Sequence, residues 1–223
     1  MTAKVEARRS PVRAGDGVEV NPAANQTLEQ IIATQINDWT MRDYVFTASQ
    51  GLAATDVSSV ATESHTTPVA SLQSPTGKNK LIIPLRVWAS VTNDGAGLGY
   101  VDLCYTKAAK ECATALTLSG TAFNLQNSRT FNPMVTPTAT ALMAVTASAL
   151  TTVDYITLAH KHWPNAALTT SLIVPDFDYQ FETPIALTEG AALLLYFYNA
   201  TTTDAKLVVS FTWAELDASI YIP

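Results

Sequence analysis

Charge is scarce in this chain: Asp, Glu, Lys and Arg make up 14% of 223 residues, against ~25% in a typical domain. Ala, Thr and Ser fill the gap, which predicts surface covered by neighbouring subunits more than by water. Basic residues are the scarcer sign, and a net charge of −6 argues against a general nucleic-acid binder, because phosphate contacts need a basic face. Cysteine occurs only at Cys104 and Cys112, which excludes a disulfide framework and reads as a pair of reduced structural thiols. Histidine occurs three times and no serine lies in G-x-S-x-G, so no nucleophile–base pairing is suggested. No apolar run approaches the ~18 residues of a membrane span, and the first residues lack a signal-peptide core. The expectation is a protein made and used from the cytosol, with no membrane partner.

Hydrophobic residues are plentiful, at 48%, enough for the core of one large all-β domain with appendages. The clearest segments are the last two apolar runs, residues 191–199 (AALLLYFYN) and 206–216 (KLVVSFTWAEL). In the second, Leu207, Val209, Phe211 and Trp213 alternate with Lys206, Val208, Ser210, Thr212 and Ala214. That is a strand with one buried and one small, half-polar face. The first run is apolar on both faces, as in a central strand. With residues 200–205 between them, the two read as a β-hairpin.

Taken in order, residues 1–25 lack periodicity and form an extended arm, with Lys4, Arg8, Arg9 and Arg13 as a small basic group. Thr27-Leu-Glu-Gln30 resembles a capping box. Leu28, Ile31, Ile32, Ile36 and Trp39 follow at helical spacing, predicting an amphipathic helix over about 28–39. Strand-like alternation begins after Asp43, and residues 68–72, 80–91, 100–106, 139–152, 155–163, 172–174 and 176–187 carry further strand signals. Pro84 lies inside one of these runs and cannot donate to a ladder, so it should mark an edge or a bulge. Residues 121–137 read as a long loop crossing between sheets or covering an edge. With turn signals and no alternating helices, the chain reads as all-β, a jelly-roll-type β-sandwich after a short helix and arm. The divisions are residues 1–42 for arm and helix, 43–216 for the sandwich and 217–223 for the tail.

Few residues carry candidate chemistry. His160 and His162 stand at i and i+2 on a strand, so both rings can share a face and supply half of a zinc site. Only His65, Asp154 and distant carboxylates would complete it, and a histidine pair at an interface is the simpler reading. Asp176, Asp178 and Glu182 alternate with Phe177, Tyr179 and Phe181, and such oxygens can bind Ca²⁺ between subunits. A solvated strand face accounts for them equally, and neither metal nor cofactor is expected. Thr76-Gly-Lys-Asn79 fails the phosphate-loop pattern, and Gly95, Gly97 and Gly99 are turn glycines. Trp88, Trp163, Trp213, Phe197 and Tyr198 belong to core or subunit contact; a sugar-binding platform would instead leave rings exposed.

The order of segments carries one resemblance. Arg42-Asp-Tyr-Val-Phe-Thr-Ala-Ser49 follows the helix. Ser74-Pro-Thr-Gly-Lys-Asn-Lys80 precedes the strand Leu81-Ile-Ile-Pro-Leu-Arg-Val87. Leu187-Thr-Glu-Gly-Ala-Ala-Leu193 precedes an aromatic strand, and Val208-Val-Ser-Phe-Thr-Trp-Ala-Glu215 closes the domain. Over residues 40–216 this resembles the jelly-roll structural proteins of tailed-bacteriophage virions. The resemblance implies a non-enzymatic virion component, assembled in the host cytoplasm, whose partners are copies of itself, as a trimer, and the major capsid protein. A capsid-associated decoration protein is the first reading; a fibre, spike or neck domain that binds a host glycan is the alternative. The group supplies no active-site residues. The contact residues expected are Leu28, Ile31, Ile32, Ile36 and Trp39 of the helix, with Arg8 and Arg9 of the arm.

Overall fold

The structure is a computed structural model that describes residues 35–50, 56–61, 64–93, 99–128, 135–148, 150–163, 176–199 and 205–220. Among these, one short helix, α1 (Gln35–Met41), precedes twelve strands. These are β1 (Val45–Ser49), β2 (Val57–Ser58), β3 (Ala70–Gln73), β4 (Lys80–Asn93), β5 (Gly99–Thr106), β6 (Leu118–Ala122), β7 (Asn124–Asn127), β8 (Thr140–Ala147), β9 (Tyr155–Trp163), β10 (Asp176–Gln180), β11 (Ala192–Asn199) and β12 (Lys206–Asp217). They form two antiparallel sheets. Sheet one runs β10-β4-β12-β1-β7, with β2 on the end of β12; sheet two runs β6-β8-β3-β11-β5-β9. The protein is all-β.

The core lies between the sheets. Leu207, Val209, Phe211 and Trp213 of β12 meet Leu193, Leu195 and Phe197 of β11 there, with Phe46, Val87, Val101 and Leu103 around them. The alternation expected for β12 therefore holds, and β11 is buried along its whole length, as a central strand between β3 and β5. Their pairing as a hairpin does not occur. β11 belongs to sheet two and β12 to sheet one, so the chain crosses the sandwich between them. A strand apolar on both faces needs two neighbours and a cover on its outer face. β11 finds these in β3, β5 and the segments carrying Ala109, Leu116 and Leu150.

Pro84 marks a bulge in a central strand. The β4–β12 register slips by one between Arg86 and Pro84, leaving Leu85 unpaired against β12, just where pairing with β10 stops. Parity changes with it: Val87, Ala89 and Val91 face the core on one side of the bulge, Ile82 on the other. Leu81, Ile83 and Leu85 turn outward, and with Leu216 they receive Trp39 of α1. The long loop expected at 121–137 is partly strand. β6 edges sheet two and β7 pairs with β1 in sheet one, so this stretch does cross between sheets. The expected strand at 172–174 lies outside the described residues.

Candidate functional site

The outer face of sheet two gathers the polar and aromatic groups. Alternation turns Tyr100 and Asp102 of β5 outward, and the β5–β9 register sets them opposite His162 and His160. The Nδ1 of His160 meets the Asp102 carboxylate. Its Nε2 lies 2.6 Å from Nε2 of His162, with the rings nearly perpendicular at 78°. The Tyr100 ring packs against both imidazoles, at 5.5 and 5.4 Å between centroids, and against Tyr198 at 4.9 Å. Tyr198 in turn stacks on Tyr196. Their hydroxyls donate to the carbonyls of Ser64 and His65, which straps the segment before β3 across this face. The remaining histidine, His65, joins the same face through a 2.8 Å bond to the Tyr155 hydroxyl.

The spacing of His160 and His162 was legible in the sequence, but Asp102 was not, because a partner 58 positions away is fixed only by strand register. Nearby Cys104 is buried, and burial pushes its thiol up to about 11, which keeps it a neutral, unreactive group. Cys112 is likewise a buried free thiol. The Tyr196 phenol is raised still more strongly by burial.

On sheet one the weak Ca²⁺ candidates Asp176 and Asp178 have different partners. Asp178 is held in a bidentate fork by Arg86, with Nε and Nη2 each 2.8 Å from a carboxylate oxygen. That guanidinium keeps the Asp178 carboxyl below the usual range, and both of its oxygens are committed. Asp176 is exposed, and its backbone carbonyl accepts from Lys161 of the facing edge strand. Among the described residues, no group of three or more His, Cys, Asp or Glu is arranged to hold a metal. Beside the fork, Arg86, Trp88, Ser210 and Thr212 line a shallow groove of about 200 Å³. Trp88 is half-buried there, while Trp213, Phe197 and Tyr198 are buried; the Trp163 side chain lies outside the description. Among the described residues no Phe, Tyr or Trp is exposed.

The helix residues divide. Trp39 is 9% exposed and packs on the outer face of sheet one, so it joins α1 to its own domain and is not open to a neighbour. Ile36 is half exposed and Met41 more so. Leu28, Ile31, Ile32, Arg8 and Arg9 lie outside the described residues.

Sequence reading missed a cleft of about 500 Å³ at one end of the sandwich, lined by Gly77, Lys78, Lys80, Lys110, Glu111 and Glu189 among others. Gly190 lets its loops close up. Its φ is +80°, and a Cβ there would sit 2.8 Å from the Ala109 Cβ and 2.9 Å from the Thr76 Cγ2. Lys110 and Glu189 neutralise each other across it. No protein-family model matches the chain, and no curated protein matches it either.

Proposed function

We propose that the chain is a non-enzymatic structural protein of a tailed-phage particle, capsid-associated and homo-oligomeric, built on a jelly roll. The observation that carries this reading is the strand order. Setting aside β2 and the β6–β8 excursion, sheet one reads β1-β12-β4-β10 and sheet two β3-β11-β5-β9. Each sheet pairs the first strands of the series with the last, the order expected of two interleaved Greek keys, and viral capsid domains are among the users of jelly rolls, with lectins and cupins. The β6–β8 excursion adds β7 beside β1 and β8 beside β3, extending both sheets at the same end of the order.

Surface chemistry supports adhesion as the mechanism. The outer face of sheet one presents Ser90, Val208, Ser210 and Thr212, small and half-buried, around Trp88. Such a face suits close approach by another subunit. The expected helix of residues 28–39, with the arm before it, serves as the second contact, offering Ile36 besides the part anchored by Trp39. Glycan recognition by a fibre or spike domain is the weaker reading, since no described Phe, Tyr or Trp ring is fully exposed and Trp88 stands half-buried in its groove. Light scattering of the purified full chain tests the assembly: the expected mass is three times 23.9 kDa, and a monomer at every concentration would contradict it.

A further inference from the structure

We propose that His160 and His162 form a binding site for a divalent first-row transition ion of tetragonal preference, Cu²⁺ or Ni²⁺, with Asp102 orienting His160. The site is independent of the particle role proposed above. It rests on the juxtaposition of four side chains on the outer face of sheet two. β9 is the terminal strand of its sheet, and both imidazoles are exposed, so an ion and its waters can approach.

The groups that would orient the two rings are already in contact with them. A carboxylate on Nδ1 of a histidine fixes its tautomer, leaves the Nε2 lone pair for the metal and raises its basicity. Asp102 does this for His160. Tyr100, wedged against both rings, limits their rotation, which lowers the ordering cost of chelation. In the metal-free pair, the His162 Nε2–H donates to Nε2 of His160. On binding, the His162 proton moves to Nδ1 and the ion takes its place between the two Nε2 atoms.

Geometry selects the ion. Metal–imidazole bonds of about 2.0–2.1 Å place two cis ligands at 90° about 2.9 Å apart, and two tetrahedral ligands about 3.3 Å apart. From 2.6 Å, the first needs an opening of about 0.3 Å and the second more than twice that. Tetragonal nitrogen sites suit Cu²⁺ and Ni²⁺, and Cu²⁺ also leads the general affinity order. Two protein ligands with water in the other positions imply micromolar, not nanomolar, affinity.

The test is calorimetric titration of the untagged full chain with Cu²⁺, Ni²⁺ and Zn²⁺, in a buffer that does not chelate them, with a Cu²⁺ spin-resonance spectrum. The expected result is one Cu²⁺ per chain, bound more tightly than Ni²⁺ and Zn²⁺, with an axial spectrum split by two nitrogens. His160→Ala and His162→Ala should each weaken binding by about 30-fold or more. Asp102→Asn should weaken it about 10-fold with unchanged stoichiometry, and His65→Ala should leave it unchanged; thermal melts verify that each variant is folded. No binding, binding indifferent to His162→Ala, or Zn²⁺ bound more tightly than Ni²⁺ would each overturn the proposal.

Discussion

Glu215 ties β12 to the segment that enters β8. It is buried at the base of the core, where its carboxylate accepts from the Trp213 indole at 3.0 Å and from the Thr138 and Ala139 amides at 2.9 Å. The Thr138 hydroxyl adds a bond of 2.7 Å. Truncation strands several donors at once, so Glu215→Ala should cost about 3 kcal/mol in urea unfolding, and Glu215→Gln visibly less. Asp154 plays a similar part, accepting from the Thr151 hydroxyl and amide and the Ala113 amide. Those bonds, the Thr151 hydroxyl first, hold its carboxyl below the usual range. Its contribution is therefore full above the unfolded pKa of about 3.9 and lost as pH falls through the lower folded value. Asp154→Asn should be the less stable at pH 7, and the gap from the parent should narrow steadily in denaturation runs as the pH is lowered below about 3.9. Neither role was legible in the sequence. Both depend on which loop amides the fold brings to a carboxylate, and no local pattern encodes that.

At the scale of elements, the sequence was informative about faces and silent about partners. The alternation of β12, the two-sided apolarity of β11 and the bulge at Pro84 follow from side-chain period and from the missing proline N–H. The hairpin expected from β11 and β12 failed because proximity along the chain is a weak guide here: no two consecutive strands of the described residues pair with each other. The helix shows the same division. Residues 35–41 are helical where a helix was expected over 28–39, but the spacing did not say whether Trp39 meets its own domain or a neighbour, and it meets Leu81, Ile83 and Leu216 of its own sheet. A chain starting at residue 35 should accordingly keep the α1 contact with sheet one. One starting at residue 41 should lose stability, and Trp39→Ala should cost about 3 kcal/mol. Equal midpoints for both truncations would contradict the anchoring of α1.

At the scale of the molecule, a fold made entirely of non-local strand pairings closes long loops before any ladder rewards them. Stopped-flow refolding should therefore run in the millisecond-to-second range typical of β-sandwiches, and microsecond folding would be inconsistent with the topology. The all-β class was legible from strand signals without helices between them. The strand order was not, since it is a property of the pairings themselves, and it is the strand order that supports a particle component. Scarce charge and a small-residue sheet face point to a chain that works by being covered. Quantitative mass spectrometry of purified particles, counting this chain against the major capsid protein, tests that claim most directly. The account predicts a fixed copy number comparable with the capsid protein; absence of the chain from intact particles would contradict it.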